Sequence, residues 1–156
     1  MSAFEGCPGS RMMDLTRNED GPVAVATEQP SQLRNWPVQM HLISPAAPYF
    51  QGADLLLAAD CTAYALGGFH ADYLRGKALA IACPKLDQNQ ETYLEKLTAL
   101  IDDAKVNTIT VLIMQVPCCR GLVGLVQRAT AKASRKVPVK VAVVGLQGDI
   151  ISEDWL

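Results

Sequence analysis

The sequence predicts a doubly wound, mostly parallel α/β sheet of about five strands with helices on both faces, and three observations predict it. Runs of aliphatic and β-branched residues recur at 53–60, 77–82, 108–114 and 139–144, several apolar at consecutive positions as in strands buried on both faces. Segments of helical periodicity separate them. The connections are short, and parallel strands joined through helices take right-handed crossovers. At 156 residues, 49% of them hydrophobic, one such domain buries roughly 70% of the surface its unfolded chain exposes.

Residues 1–35 read as an irregular N-terminal arm and residues 36–156 as a single α/β domain. Gly6-Cys-Pro-Gly-Ser10 is turn chemistry, and the stretch from Arg17 to Gln32 mixes charges with Gly21, Pro22 and Pro30. Trp36-Pro37 opens the domain, because the residue before proline is held extended. The alternating run 38–43 reads as the first strand. Its link to the second, 44–52, holds Pro45 and Pro48 and has room for only a short helical turn.

The second strand, 53–60, is followed by a helix over 62–74 weakened by Gly67-Gly68. The third strand, 77–82, leads through Pro84 to a helix over 88–104, where Tyr93, Leu94, Leu97, Leu100 and Ile101 form one apolar stripe. A fourth strand over 108–114, a helix over 121–135 and a fifth strand over 139–144 complete the pattern. Residues 145–156 read as a polar tail.

Charge and length exclude some functions. A formal charge of -2 offers no basic field for nucleic acid. The Lys132–Lys136 grouping sits at a helix end, where cations favour the dipole. No apolar run is long enough for membrane insertion. The start of the sequence shows no basic region followed by an apolar core, so a secretory signal is not expected. Five cysteines, an odd number, argue for reduced thiols in a cytoplasmic protein rather than a disulfide framework.

Position makes the cysteines informative. Cys61, Cys83, Cys118 and Cys119 all fall just after the last apolar residue of a strand. Parallel neighbours about 5 Å apart would bring these sulfurs within roughly 10 Å of one another, at the sheet edge where open α/β folds bind ligands. Cys7, on the arm, is an optional fifth ligand. Cys7, Cys83 and Cys118 each adjoin a proline, a pairing that recurs at iron–sulfur ligands but also simply ends strands. The helices after Cys61 and Cys119 would favour thiolate. No C-x-x-C spacing occurs, so zinc-ribbon and thioredoxin patterns are absent.

Three readings follow: a metal or iron–sulfur site, with zinc as the alternative metal; a small enzyme using Cys118 or Cys119 as nucleophile; and a non-catalytic interaction domain that docks a redox partner protein, its cysteines packed as small hydrophobes. Lys85 and Arg120 would neutralise an anionic cluster and tune its potential. His41 and His70 read as satisfied or surface histidines. Asp60 and Asp87 read as helix caps. Gly6–Arg11 offers backbone N–H groups for an anion, but no strand precedes it. There is no glycine-rich dinucleotide fingerprint and no Gly-x-Ser-x-Gly elbow. Homo-oligomerisation stays open.

Asn35-Trp-Pro-Val-Gln39, Ala53-Asp-Leu-Leu-Leu-Ala-Ala-Asp-Cys61, Phe69-His70, Lys77-Ala-Leu-Ala-Ile-Ala-Cys-Pro-Lys-Leu-Asp87 and Val116-Pro-Cys-Cys-Arg-Gly-Leu122 resemble the C-terminal domain of bacterial and archaeal ferredoxin-like iron–sulfur cluster-binding proteins. Gly6-Cys-Pro-Gly-Ser-Arg-Met-Met-Asp14 resembles the segment that follows the N-terminal ferredoxin module in that family. The module's C-x2-C-x2-C-x3-C-P runs are not in this sequence. The resemblance implies a domain working beside an electron carrier, with Cys61, Cys83, Cys118 and Cys119 matching the family's cysteine blocks; the metal reading of those cysteines expects a 4Fe-4S cluster as cofactor and a ferredoxin or reductase as partner.

Overall fold

A computed structural model describes residues 12–15 and 28–156. The sequence-predicted arm, including Cys7 and the Gly6–Arg11 turn, lies largely outside the described residues. The domain is a five-stranded sheet: β1 (Asp54–Ala59), β2 (Ala78–Ala82), β3 (Thr108–Met114), β4 (Val139–Val144) and β5 (Ile150–Trp155). Its order is β2-β1-β3-β4-β5, parallel except for the antiparallel β4–β5 pair. The doubly wound α/β class is as the sequence predicts.

Three helices connect the strands: α1 (Thr62–Ala65), α2 (Gln90–Asp102) and α3 (Arg120–Lys132). The β1-to-β2 and β2-to-β3 crossovers travel in opposite directions along the sheet, so right-handed connections place α1 and α2 on opposite faces. The core follows from the strand composition. Leu55, Leu57, Ile109, Val111 and Leu112 are fully buried, and Tyr93, Leu97, Leu100 and Ile101 of α2 and Leu122, Val126 and Ala129 of α3 pack on one face.

Three sequence expectations are corrected. First, 38–43 is not a strand. Only Gln39 makes a parallel bridge, to Ile81, before the chain turns at Met40. The Lys96 Nζ, reaching from α2, donates to the carbonyls of Met40, His41 and Ile43 at 2.8, 2.9 and 2.9 Å. A strand would point those carbonyls to alternate sides, and convergence on one ammonium requires a turn. Burial holds the Lys96 ammonium below its ordinary pKa range.

Second, 62–74 is not one helix. α1 stops at Ala65, Gly67-Gly68 break the chain, and Phe69–Leu74 forms a separate π-helical turn closed by Arg75 N–H on the His70 carbonyl. Third, the tail contains β5, which a polar composition had hidden. Its side chains are mostly exposed, and it is tied back by Tyr73, whose hydroxyl donates to Glu153, and by the Lys140–Glu153 ion pair at 3.1 Å.

Upstream of β2, the side chain of Asn35 takes the place of a strand partner. It is 5% exposed, its Oδ1 accepts the Leu79 N–H at 2.8 Å, and its Nδ2 donates to the Leu79 and Pro37 carbonyls at 3.0 and 3.1 Å. One amide thereby satisfies both outward backbone groups of Leu79.

Candidate functional site

Winding reverses between β1 and β3. From β1 the chain moves outward to β2, and from β3 it moves the other way to β4. Open α/β sheets bind ligands in the crevice outside the strand ends at such a point. The segments leaving β1, β3 and β2 there are Asp60-Cys61, Gln115 to Cys119, and Cys83-Pro84.

Cys61 is exposed, Cys83 and Cys118 are half-buried, and Cys119 is buried; none of the four is in a disulfide. The Cys61 thiol donates to the Asp60 carboxylate at 3.5 Å. Partial burial, the Asp60 charge and its hydrogen bond, and then Cys83 and Cys118, raise the Cys61 pKa. Cys61, Cys83 and Cys118 follow the C-terminal ends of three neighbouring parallel strands, β1, β2 and β3.

Cys119 departs from the expected set. Pro117–Cys119 form a 3-10 turn, in which Cys118 stays half-exposed while Cys119 joins the hydrophobic core at 7% exposure. Burial pushes its thiol up to about 11, eased by the Met114 backbone and raised again by Cys118. The thiolate-favouring effect expected at the helix N-termini is therefore outweighed at both Cys61 and Cys119 by burial and neighbouring anionic groups. A buried thiol of that basicity makes Cys119 a poor nucleophile at neutral pH.

The loop 83–87 closes on itself. Asp87 N–H donates to the Cys83 carbonyl at 2.9 Å, and Cys83 N–H donates to Asp87 Oδ2 at 2.9 Å. Tyr93 OH and Gln39 Nε2 donate to the same oxygen at 2.5 and 3.2 Å. Burial and the Asp87 hydrogen bond raise the Tyr93 pKa. Asp87 is thus not a helix cap; α2 starts at Asn89 without a side-chain cap bond. Asp60 likewise serves Cys61 rather than a helix, and Thr62 Oγ1 instead donates to the Ala59 carbonyl at 2.7 Å.

The loops of Cys83 and Cys119 touch through Gly121. A Cβ there would stand 3.0 Å from Pro84 Cβ, so only glycine allows this approach without a shift. Lys85 and Arg120 are exposed beside the thiols. The histidines hold structural partners. His41 Nε2 bonds the Gln88 carbonyl at 2.7 Å and its ring lies 4.4 Å from that of Tyr93. His70 Nδ1 accepts the Gln32 N–H at 3.0 Å, which leaves the proton of a neutral ring on Nε2.

Among the described residues, no three His, Cys, Asp or Glu side chains are grouped closely enough to hold one metal ion, and no helix is long and apolar enough to cross a membrane. Sequence reasoning missed Gln39 and Tyr93, which reach Asp87 from the bridge to Ile81 and from α2, and Gly121, whose placement one residue after Arg120 was the available signal.

Residues 47–156 match the family of the Rossmann-like domain, as the sheet order and switch point require. The chain belongs to that family. A protein of Archaeoglobus fulgidus described as uncharacterized is 28% identical over 121 residues, covering 76% of this chain and 83% of that protein. No solved structure matches the chain. Where many Rossmann folds carry a glycine-rich phosphate turn after the first strand, this Rossmann-like domain carries Ala59-Asp60-Cys61-Thr62. Its switch point offers a thiol and a carboxylate in place of a cradle of backbone N–H groups.

Proposed function

We propose that this Rossmann-like domain binds an iron–sulfur cluster at its switch-point crevice and serves in cytoplasmic electron transfer. The reading is supported by the topology, in which Cys61, Cys83 and Cys118 each follow the C-terminal end of one of three adjacent parallel strands at the switch point, none of them in a disulfide. Soft thiolates select iron–sulfur clusters and other thiophilic metals over hard cations. Cys61, Cys83 and Cys118 are accessible as they stand. Cys119, which lies in the core, is the remaining sequence-adjacent ligand candidate, and Cys7 is a candidate outside the described residues.

When bound, the cluster supplies one-electron redox chemistry. The chain's own residues hold it and set its surroundings: Asp87 fixes the Cys83 loop, Asp60 engages Cys61, and Lys85 and Arg120 offset the negative charge of a thiolate-ligated centre. The redox partner we propose is a ferredoxin or a reductase, in line with the family resemblance.

The test is to purify the full chain without oxygen, record its visible absorption, and measure iron, zinc and sulfide per chain. A broad band near ~400 nm, where thiolate-to-iron charge transfer lies, with iron matched by sulfide, is the expected result. Cys83→Ser then loses most of the bound iron while the far-UV circular dichroism stays unchanged. A colourless protein that takes up no iron and sulfide on anaerobic reconstitution overturns the proposal.

A further inference from the structure

We infer that Asp87 is the positioning residue that sets where Cys83 presents its sulfur, with Tyr93 and Gln39 holding its carboxylate in place. The inference rests on the reading of the thiols as the functional site. Three donors meet on one carboxylate oxygen: Cys83 N–H at 2.9 Å, Tyr93 OH at 2.5 Å and Gln39 Nε2 at 3.2 Å. Gln39 Nε2 also lies 2.9 Å from Tyr93 OH, so the two holders brace each other.

The anchor is rigid. Tyr93 is 1% exposed on the core-facing side of α2, and Gln39 sits at the bridge to Ile81, just before the turn that Lys96 fixes. Neither holder serves a helix terminus or the sheet ladder through its side chain. Charge-assisted bonds to a carboxylate are about twice as strong as neutral ones, and a ligand loop gains its geometry from this kind of outer support. The loop's other fixed point is Pro84 against Gly121. Cys83 is thereby held between a hydrogen-bonded hub on one side and van der Waals contact on the other, whereas the Cys61 side chain meets only its neighbour Asp60 and its carbonyl accepts the Tyr64 and Ala65 N–H groups of α1.

The experiment compares alkylation of Cys83 and Cys61 by iodoacetamide in the full chain, freed of metal by chelation under reducing conditions, with the modified peptides quantified by mass spectrometry. In Asp87→Ala the Cys83 rate rises about tenfold relative to Cys61, the factor for losing one charge-assisted hydrogen-bond hub. Asp87→Asn restores a ratio near that of the unaltered chain, because the amide oxygen still accepts the Cys83 N–H. Tyr93→Phe, which keeps the packing and removes one donor, shifts the ratio in the same direction by roughly threefold, and it carries the test if Asp87→Ala does not fold. Iron uptake is measured on the same preparations. A ratio unchanged in both Asp87→Ala and Tyr93→Phe, with only a lower melting temperature, overturns the inference. A ratio that moves as expected in a protein that never takes up iron supports the Asp87 assignment and overturns the cluster reading instead.

Discussion

Asn35→Ala tests how β2 is held at its outer edge. The substitution removes three hydrogen bonds, at 2.8, 3.0 and 3.1 Å, and leaves the N–H and C=O of Leu79 without partners at a position only 6% exposed. A net hydrogen bond contributes about 1 kcal/mol, and each buried group left unpaired costs about 1–3 kcal/mol. Partial entry of water on an edge puts the sum toward the low end, about 2–4 kcal/mol. For a domain of this size that is a fall of roughly 5–15 °C in Tm. Urea unfolding followed by circular dichroism, fitted with a common m value, measures it directly. Asn35→Asp sharpens the test. Its carboxylate would accept the Leu79 N–H but face the carbonyls of Leu79 and Pro37, so the folded protein disfavours the charged form. The pKa of that residue is then raised on folding, and the variant's deficit shrinks as the pH falls through it. A loss below about 0.5 kcal/mol for Asn35→Ala, or a deficit of Asn35→Asp that does not respond to acid, would refute the assignment of Asn35 as the substitute strand partner.

Two further outcomes follow from the geometry. Gly121→Ala places a Cβ 3.0 Å from Pro84. Where a helical glycine-to-alanine change ordinarily stabilises by ~0.5–1 kcal/mol, this one lowers stability and reduces bound iron, and a gain in denaturant midpoint with iron unchanged would contradict the contact. Asp54 accepts hydrogen bonds from Thr108 Oγ1 at 2.7 Å and Asn107 Nδ2 at 2.9 Å, which hold its carboxyl below the ordinary range. A depressed acid contributes stability above its unfolded pKa, near ~3.9, and loses it as the pH falls through the folded value. Thr108→Val therefore flattens the acid limb of the stability profile below about pH 5, as followed by denaturant midpoints from pH 6 downward; an unchanged slope would rule out Asp54 as a contributor.

The segments legible in the sequence are those whose burial leaves one interpretation. Residues 108–114 and 139–144 are strands from end to end as predicted, because consecutive β-branched and aliphatic residues fit a sheet covered on both faces. Residues 38–43 carry a strand-like alternation, yet their conformation is decided by Lys96, more than fifty residues away. β5 gives a weak signal, because the acidic run Ser152-Glu-Asp154 breaks the apolar Ile150, Ile151 and Trp155, and the edge strand is exposed along most of its length. At the candidate site, the placement of Cys61, Cys83 and Cys118 just after strands was legible because strand ends are. The inward turn of Cys119 was not, since neighbours in a 3-10 turn point apart whatever their identity. Asp87 looked like a cap because its true partners, Gln39 and Tyr93, approach from other segments.

The three crevice thiols come from positions 61, 83 and 118, on strands that become neighbours only when β3 docks against β1. In the unfolded chain they are separate thiols with no shared geometry. A ligand that needs all three recognises the native state alone, so its binding free energy adds to folding stability and rises with ligand concentration. During synthesis the three strand ends are not neighbours until Cys118 has emerged and β3 has paired, so a ligand that needed all three thiols would load only after the sheet had assembled.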